Sequence, residues 1–400
     1  MFLRVTLPFA AANFMNQCAR TIMAIVGPVL AVEFGLSASE LGLLAACMFA
    51  SYAAAQLPLG VALDKFGPRR MQAALMTFAA LGFAVFALSS SFGCLAAARL
   101  MLGVGISAGL MAVIKANADW FPPSRVAAMT GIAMDIGGLG SAMTTAPVQA
   151  ILPVLGWRGV FWILAACTLA VAAGIFFFVP DKPRTAPPRS VREDILVTVR
   201  IFRSGKFWLL GPAVAALAML NFAYLGLWAG PWLRDVAGMD GPARANLLFL
   251  YTLAMMAGSV VTGNLASRAT AAGLPPFLVP VAGVAVTVLM QVGLIFQPSS
   301  APVVTALWLT MAFFGASGPA AYIAVGQMFP PEQTGRVSSA VNMFTLGFAF
   351  LLQAAIGWIL DLWPRTAAGG WDPDGYSWAL ALSAFLQGLG AVAMASARRR

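Results

Sequence analysis

Apolar residues run through this chain in stretches of about twenty, and short polar breaks separate them. Cutting at the breaks predicts twelve helices, at about 5–31, 39–63, 71–91, 94–116, 125–149, 157–179, 207–232, 245–266, 275–297, 302–326, 337–360 and 376–396. Each is long enough to cross a bilayer. A membrane barrel needs alternating segments of about ten residues, which these continuous runs are not. The fold expected is therefore all-α and polytopic. The first stretch is too long for the core of a cleavable signal, contains Arg20, and is followed directly by a second helix, so it reads as a retained span.

Composition agrees with the pattern. Hydrophobic residues make up 60% of the chain and charged residues 10%, with a mean hydropathy of +0.86. A soluble domain carries roughly a quarter charged residues. The net charge of +10 would suggest nucleic-acid binding in a soluble protein. Here the basic residues sort to one side of the predicted membrane: Arg4, Lys65, Arg69, Arg70, Lys115, Arg125, those from Lys182 to Lys206, Arg268, Arg336 and Arg398 to Arg400. Arg99, Arg158, Arg234, Arg244 and Arg365 fall on the other side, with Arg99 near its helix end. That asymmetry predicts both termini in the cytoplasm and a multi-pass place in a bacterial-type inner membrane. The lipid bilayer is the expected partner, and nucleic acid is not.

One long break, 181–206, separates residues 1–180 from 207–400. Pro180 immediately before it and Pro183, Pro187 and Pro188 within it open the break, and Val191, Ile195, Val199 and Phe202 then recur at helical spacing, predicting a linker with a short amphipathic helix on the inner leaflet. The two six-helix halves repeat. Phe121-Pro122-Pro123 after the fourth helix recurs as Phe329-Pro330-Pro331 after the tenth, and Gly60 to Lys65 recurs, degraded, as Gly263 to Arg268. Parallel repeats of this kind mark secondary transporters.

Between the second and third helices the chain reads Gly60-Val-Ala-Leu-Asp64-Lys65-Phe-Gly67-Pro68-Arg69-Arg70. This resembles the loop signature of the major facilitator superfamily, and the resemblance extends over the whole chain. Gly60 suits close helix packing and Gly67 a tight turn. Asp64, at an unfavourable helix C-terminus, needs a partner, and the N-terminus of helix eleven on the same membrane side would supply positive dipole. The resemblance implies that this contact latches a cytoplasmic gate, with Lys65, Arg69 and Arg70 contributing and Pro68 replacing a common basic residue. Arg99-Leu-Met-Leu-Gly103-Val-Gly105 is similar to the family's Arg-x-x-x-Gly-x-Gly, which is associated with proton coupling. The alternative is an arginine snorkelling to the interface above a glycine packing face. Gly156-Trp157-Arg158 through Phe161 resembles another common family element. The drug-antiporter signature is missing from helix five, where Asp135-Ile136 replaces its Gly-Pro step.

Enzyme chemistry finds no residues to work with. There is no histidine, and Cys18, Cys47, Cys94 and Cys167 stand singly in apolar runs, so neither a catalytic triad nor a metal or cofactor is expected. Twenty methionines raise soft-metal transport, but core packing accounts for them better.

The candidate substrate site is the set of polar groups at mid-span depth. Asn13, Asn16, Gln17 and Arg20 share one face of the first helix, and Tyr52 and Gln56 lie in the second. Asn221, Tyr224 and Trp228 lie in helix seven, Tyr251 in eight, Tyr322 in ten, and Asn342 and Gln353 in eleven. Asp135 is the acidic residue set deep in a span, and it is a candidate proton carrier if burial raises its pKa. Arg20 has two readings. It forms a buried bridge with Asp135, or its guanidinium fork receives an anionic substrate. A first-helix arginine also resembles the organic-anion branches of the superfamily. The expectation is a monomeric secondary transporter working by alternating access, taking up a small organic anion with a proton as coupling ion. Drug or metabolite export is the alternative, and a non-transporting receptor on the same fold is the rival from another class.

Overall fold

The computed structural model describes residues 1–181, 199–326, 328–330, 334–367 and 369–396. Eleven helical spans among them are long and apolar enough to cross a membrane: α1 (Thr6–Glu33), α2 (starting at Ala38 and running to Phe66), α3 (Pro68–Leu88), α4 (Phe92–Trp120), α6 (Ala146–Phe178), α7 (Gly205–Asp235), α8 (Gly241–Ala271), α9 (Leu278–Ile295), α10 (Ala301–Gly326), α11 (ending at Leu360) and α12 (Pro373–Ser396). A further helix of 21 residues, α5 (Pro123–Met143), lies between α4 and α6. The protein is all-α and polytopic, as its apolar runs require. Most of the amphipathic linker helix falls outside the described residues.

Local chemistry sets several boundaries. Gly67, at φ +86, turns the chain so that α3 starts on Pro68, where a missing N–H does no harm. The Ser91 hydroxyl caps α4 by accepting from the Cys94 N–H at 3.3 Å, and Asp240 caps α8 by accepting from the Ala243 N–H at 2.8 Å. The fifth helix differs from expectation, since α5 ends at Met143 rather than near 149. α6 begins at Ala146 and is broken at the non-helical Gly156, whose φ of +63 suits glycine, so the sixth helix expected from 157 starts at that kink. The apolar run 146–156 belongs to α6 because a glycine bend, unlike a polar break, does not interrupt hydrophobicity.

Contacts divide the chain into two compact units. Unit 1 is Met1–Val29 with Cys47–Asp194, and unit 2 is Leu30–Ala46 with Ile195–Arg400. In unit 1, α3 packs on α6 through Phe86 and Phe161, whose rings stack at 4.1 Å, with Trp157 edge-on to Phe86 at 5.9 Å. α4 lies against its neighbours through glycines: a Cβ on Gly103 would collide with the Met48 carbonyl and Ser51, and one on Gly105 with Ala79. Three spans are broken. α1 is interrupted at Ile22, α4 at 106–108 and α10 at 316–317. α7 widens into a π-turn at Tyr224–Trp228.

In unit 2 an aromatic cluster joins α7, α8 and α10. The Trp308 ring lies 5.7 Å from Tyr224, 5.4 Å from Trp232 and 6.1 Å from Tyr251. A buried polar ladder ties α7, α9 and α12. Tyr224 Oη lies 3.4 Å from Ser383 Oγ, Ser383 donates to Gln291 Oε1 at 2.9 Å, and Gln291 Nε2 donates to Gln387 Oε1 at 2.6 Å.

The N-terminus of α2, also in unit 2, is fully satisfied. Ser37 and Glu40 form a capping box: the Glu40 N–H donates to Ser37 Oγ at 3.1 Å, and the Ser37 N–H to Glu40 Oε2 at 2.9 Å. Asp361, just past α11, accepts from the N–H groups of Ala38 at 2.9 Å and Ser39 at 2.8 Å. Arg365 reaches the Leu36 carbonyl, and Gly357 lets α11 approach the backbone at Ala38. Burial would raise the Asp361 carboxyl, but the hydrogen bonds from Ser39, Ala38 and Ser37 outweigh it and hold it below the usual carboxylate range. Its stabilisation is therefore complete above the unfolded carboxyl's pKa of about 3.9 and is lost as pH falls through the lower folded value. Asp361→Asn should lower stability by roughly 1 kcal/mol at neutral pH, the usual worth of a cap. Thermal unfolding of the purified protein between neutral and acid pH checks this. The parent should lose stability relative to the variant only at the acid end, and parallel curves would refute the assignment.

Candidate functional site

The polar face of α1 is distributed among three neighbours within unit 1. Asn13 donates through Nδ2 to the Ala133 carbonyl on α5 at 3.3 Å, in space that Gly137 leaves open. Asn16 fills the place where α4 breaks, because a Cβ on Gly109 would collide with its Nδ2. Gln17 is half-buried, and its backbone carbonyl accepts from Thr21 Oγ1 at 2.8 Å. Arg20 is half-buried with its guanidinium carbon 4.9 Å from the centre of the Tyr52 ring, a cation–π approach. Gln56 donates through Nε2 to the Ser107 carbonyl, freed by the same break in α4, at 3.1 Å.

Two acceptors are left over. Asn16 Oδ1 and Gln56 Oε1 are buried, and no donor among the described residues reaches either. Uncompensated burial of an amide oxygen costs roughly 1–3 kcal/mol. Arg20, Tyr52, Asn16 and Gln56 thus combine one cation with two open amide oxygens.

The two ionisable candidates beyond α1 stand differently from expectation. Arg99 does not snorkel. It is fully buried, two turns into α4, and its Nη1 donates to the Ala19 carbonyl at 2.9 Å, just before the break in α1. A cation there answers the carbonyl end of a helix. Asp135 is exposed, beside Ile132, Leu139 and Met143. The face of α5 turned to α1 is made by Ala133, Gly137 and Gly140, and at about 100° per residue Asp135 points the opposite way. The buried setting expected for it is absent.

In unit 2 most candidates are occupied within the protein. Asn221 donates to the Gly315 carbonyl, at the break in α10, at 3.0 Å and accepts from the Tyr251 hydroxyl at 2.6 Å. It stands 205 residues after Asn16, and each asparagine lies against a glycine beside a broken fourth helix of its half. Trp228 Nε1 donates to the Gln353 carbonyl at 3.1 Å, and Gln353 Nε2 to the Phe222 carbonyl at 2.9 Å. Tyr224 is held in the polar ladder, and Tyr322 bonds Thr345. Asn342 is half-buried on α11. Sequence reasoning missed Gln291, Gln387 and Ser383, although a glutamine inside an apolar run was a readable signal.

The loop after α2 is partly as expected. Arg69 donates through Nε to the Phe176 carbonyl at the end of α6 at 2.9 Å, and Arg70 pairs with Asp181 at 3.0 Å. Lys65 is exposed, with Nζ 5.2 Å from the Phe66 ring. The Asp64 side chain lies outside the described residues. Gly60 makes no close approach: a Cβ there meets nothing within 4 Å among the described residues. Close packing in this unit falls on Gly103 and Gly105 instead.

Residues 9–354 match the sequence description of the Major Facilitator Superfamily. The chain belongs to that superfamily. Among its relatives is the probable sulfoacetate transporter SauU of Cupriavidus necator, 26% identical over 271 residues, covering 64% of this chain and 62% of that one. The probable L-galactonate transporter of Escherichia coli is 24% identical over 279 residues, covering 66% and 61%. These alignments span somewhat less than two thirds of each relative. A bacterial homolog of the human lysosomal transporter Spinster, in an inward-facing and unoccupied conformation, shares the fold with a TM-score of 0.80 at 18% identity, covering 100% of this chain and 97% of that one.

The superfamily's two glycine elements separate in a direct test. Gly103→Ala should destabilise the protein by roughly 1–3 kcal/mol, because its Cβ must displace backbone. Gly60→Ala should be neutral within about 0.5 kcal/mol or slightly stabilising. Unfolding temperatures of the two variants in the same detergent decide between them, and equal losses would refute the packing assignment.

Proposed function

We propose that this protein is a secondary active transporter that takes up a small organic anion of the carboxylate type by alternating access, with a proton as coupling ion. The observation that carries the reading is the constellation on α1 and α2: the Arg20 guanidinium over Tyr52, with the open oxygens of Asn16 and Gln56 nearby in the chain's packing at the α4 break. A guanidinium matches a carboxylate or sulfonate through two parallel hydrogen bonds. Open amide oxygens suit hydroxyl donors on the same solute. The anionic cargoes named for the sulfoacetate and galactonate relatives support the class.

Charge and geometry at Arg20 can be separated, since lysine keeps the first and loses the second. In proteoliposomes, Arg20→Lys should weaken apparent affinity for the transported anion. Arg20→Gln should nearly eliminate binding, a loss of roughly 2–5 kcal/mol. Parental uptake by Arg20→Gln would sink the assignment. A receptor on the same fold would bind the anion without saturable flux.

The proton is assigned to Asp135. Its exposure on α5 leaves it open to exchange, whereas Arg99 is committed to the Ala19 carbonyl and acts as a positioning residue for the break in α1. Asp135→Asn should abolish accumulation driven by a pH gradient and leave counterflow exchange near the parental rate. Loss of both, or of neither, would remove Asp135 from the coupling step.

A further inference from the structure

The start of α2 is held by a helix far from it in sequence. A helix N-terminus leaves its first N–H groups without intrahelical partners, and here they are divided between two sources. Ser37 and Glu40 answer each other's N–H groups within the capping box of α2. The N–H groups of Ala38 and Ser39 go instead to the two carboxylate oxygens of Asp361, at the end of α11. That carboxylate also sets a negative charge against the positive end of the helix dipole. Beneath the cap the two helices meet backbone to backbone. A Cβ on Gly357 of α11 would collide with the Ala38 carbonyl, and one on Gly42 of α2 with the Gln353 carbonyl. The contact is therefore one antiparallel strip, Ala38 to Gly42 on α2 and Gln353 to Asp361 on α11, with Arg365 closing it on the Leu36 carbonyl.

The chemistry of this strip differs from that of a permanent brace. Asp361 and Arg365 are exposed, so water can take over their hydrogen bonds when the helices part. Asp235, in the same unit, is the contrast. Its side chain is 4% exposed, and it accepts from Arg234, from the Tyr376 hydroxyl and from the Trp371 N–H. The capping box adds a second difference, because it stays with α2 after separation and the first turn need not unravel. A third lies further along the helix. From Cys47 onward α2 belongs to unit 1, where its Met48 carbonyl and Ser51 lie against Gly103 and its Gln56 holds the Ser107 carbonyl. A helix fixed to α4 over its later turns, and to α11 at its start through groups that water can replace, is built to let go at its start. A protein that alternates between conformations needs contacts of this kind, since its states must lie within a few kcal/mol of one another.

We infer that the strip between α2 and α11 is a releasable latch, closed in this structure, in which Asp361 trades the Ala38 and Ser39 N–H groups for water as the start of α2 parts from α11. It is the converse of the contact that the loop signature implies for Asp64. There a carboxylate at the end of α2 meets the start of α11, and here a carboxylate at the end of α11 meets the start of α2. The latch uses none of the residues assigned to the anion, and it stands whether or not that reading holds.

The test reads the distance across the latch. Leu43 on α2 is 40% exposed and Leu362, just past α11, is 61% exposed. Both take spin labels as Leu43→Cys and Leu362→Cys in the full chain, with Cys18, Cys47, Cys94 and Cys167 replaced by alanine. Double electron–electron resonance is measured in phosphatidylcholine nanodiscs with no solute added. The parent should show a short, latched population. Asp361→Ala should lower the ratio of short to long distances about fivefold, the equilibrium equivalent of one lost cap. Gly357→Ala should lower it as well, because its Cβ takes the place of the Ala38 carbonyl. A static brace would lower the unfolding midpoint in these variants and leave the distances as they are. An unchanged distribution in either variant therefore overturns the proposal, and so does a parent without the short population. If Asp361→Ala or Gly357→Ala does not fold, Asp361→Asn and Arg365→Gln carry the same comparison.

Discussion

A backbone carbonyl without a hydrogen-bond partner inside hydrocarbon costs several kcal/mol, since no water is present to take its place. Three helix breaks and the widened turn of α7 among the described residues follow that constraint. The break in α1 frees carbonyls near Ala19, and buried Arg99 bonds one. The break in α4 frees Ser107, and Gln56 bonds it. Asn221 serves Gly315 at the break in α10, and Gln353 serves Phe222 beside the widened turn of α7. Polar side chains in the spans thus answer the backbone first. Their capacity for a ligand is what remains, and among the described residues of unit 1 that remainder includes the Asn16 and Gln56 amide oxygens beside α4, the Gln72 side-chain amide and the Thr168 hydroxyl.

The fold class was legible because it depends on length and period alone, and apolar runs of bilayer length admit few other readings. The repeat was legible as well, and Asn16 and Asn221 extend it into the packing. Helix breaks were not readable. The α1 interruption at Ile22 contains neither proline nor glycine; a Thr21 hydroxyl bonded back to Gln17 stands at the bend, a feature that loosens helices but leaves no pattern in hydropathy. The end of α5 was misplaced for the complementary reason, since the glycine bend in α6 lies within a continuous apolar run.

At the candidate site the sequence located the right helix faces and misjudged two charges. Whether a residue on a membrane helix is buried depends on the angle between it and the helix's packing partner. Asp135 lies two residues from Ala133 and Gly137, which face α1, and this rotation turns it outward. Arg99 looked like an interfacial arginine from its distance to the helix start, yet it is fully buried and its Nη1 reaches the Ala19 carbonyl on α1. Spacing identifies a face, and only packing says what that face meets.

The ladder of Tyr224, Ser383, Gln291 and Gln387 has a consequence of a different kind. Each of its members is an amide or a hydroxyl, so it joins α7, α9 and α12 without placing a formal charge across the membrane's electric field. A membrane potential does work of about 2.3 kcal/mol per elementary charge per 100 mV. On this ladder it does almost none. A cell that energises or loses its membrane therefore leaves the brace of these three helices unaltered, and voltage can act on unit 2 only through ionised side chains and through any charge a solute carries with it.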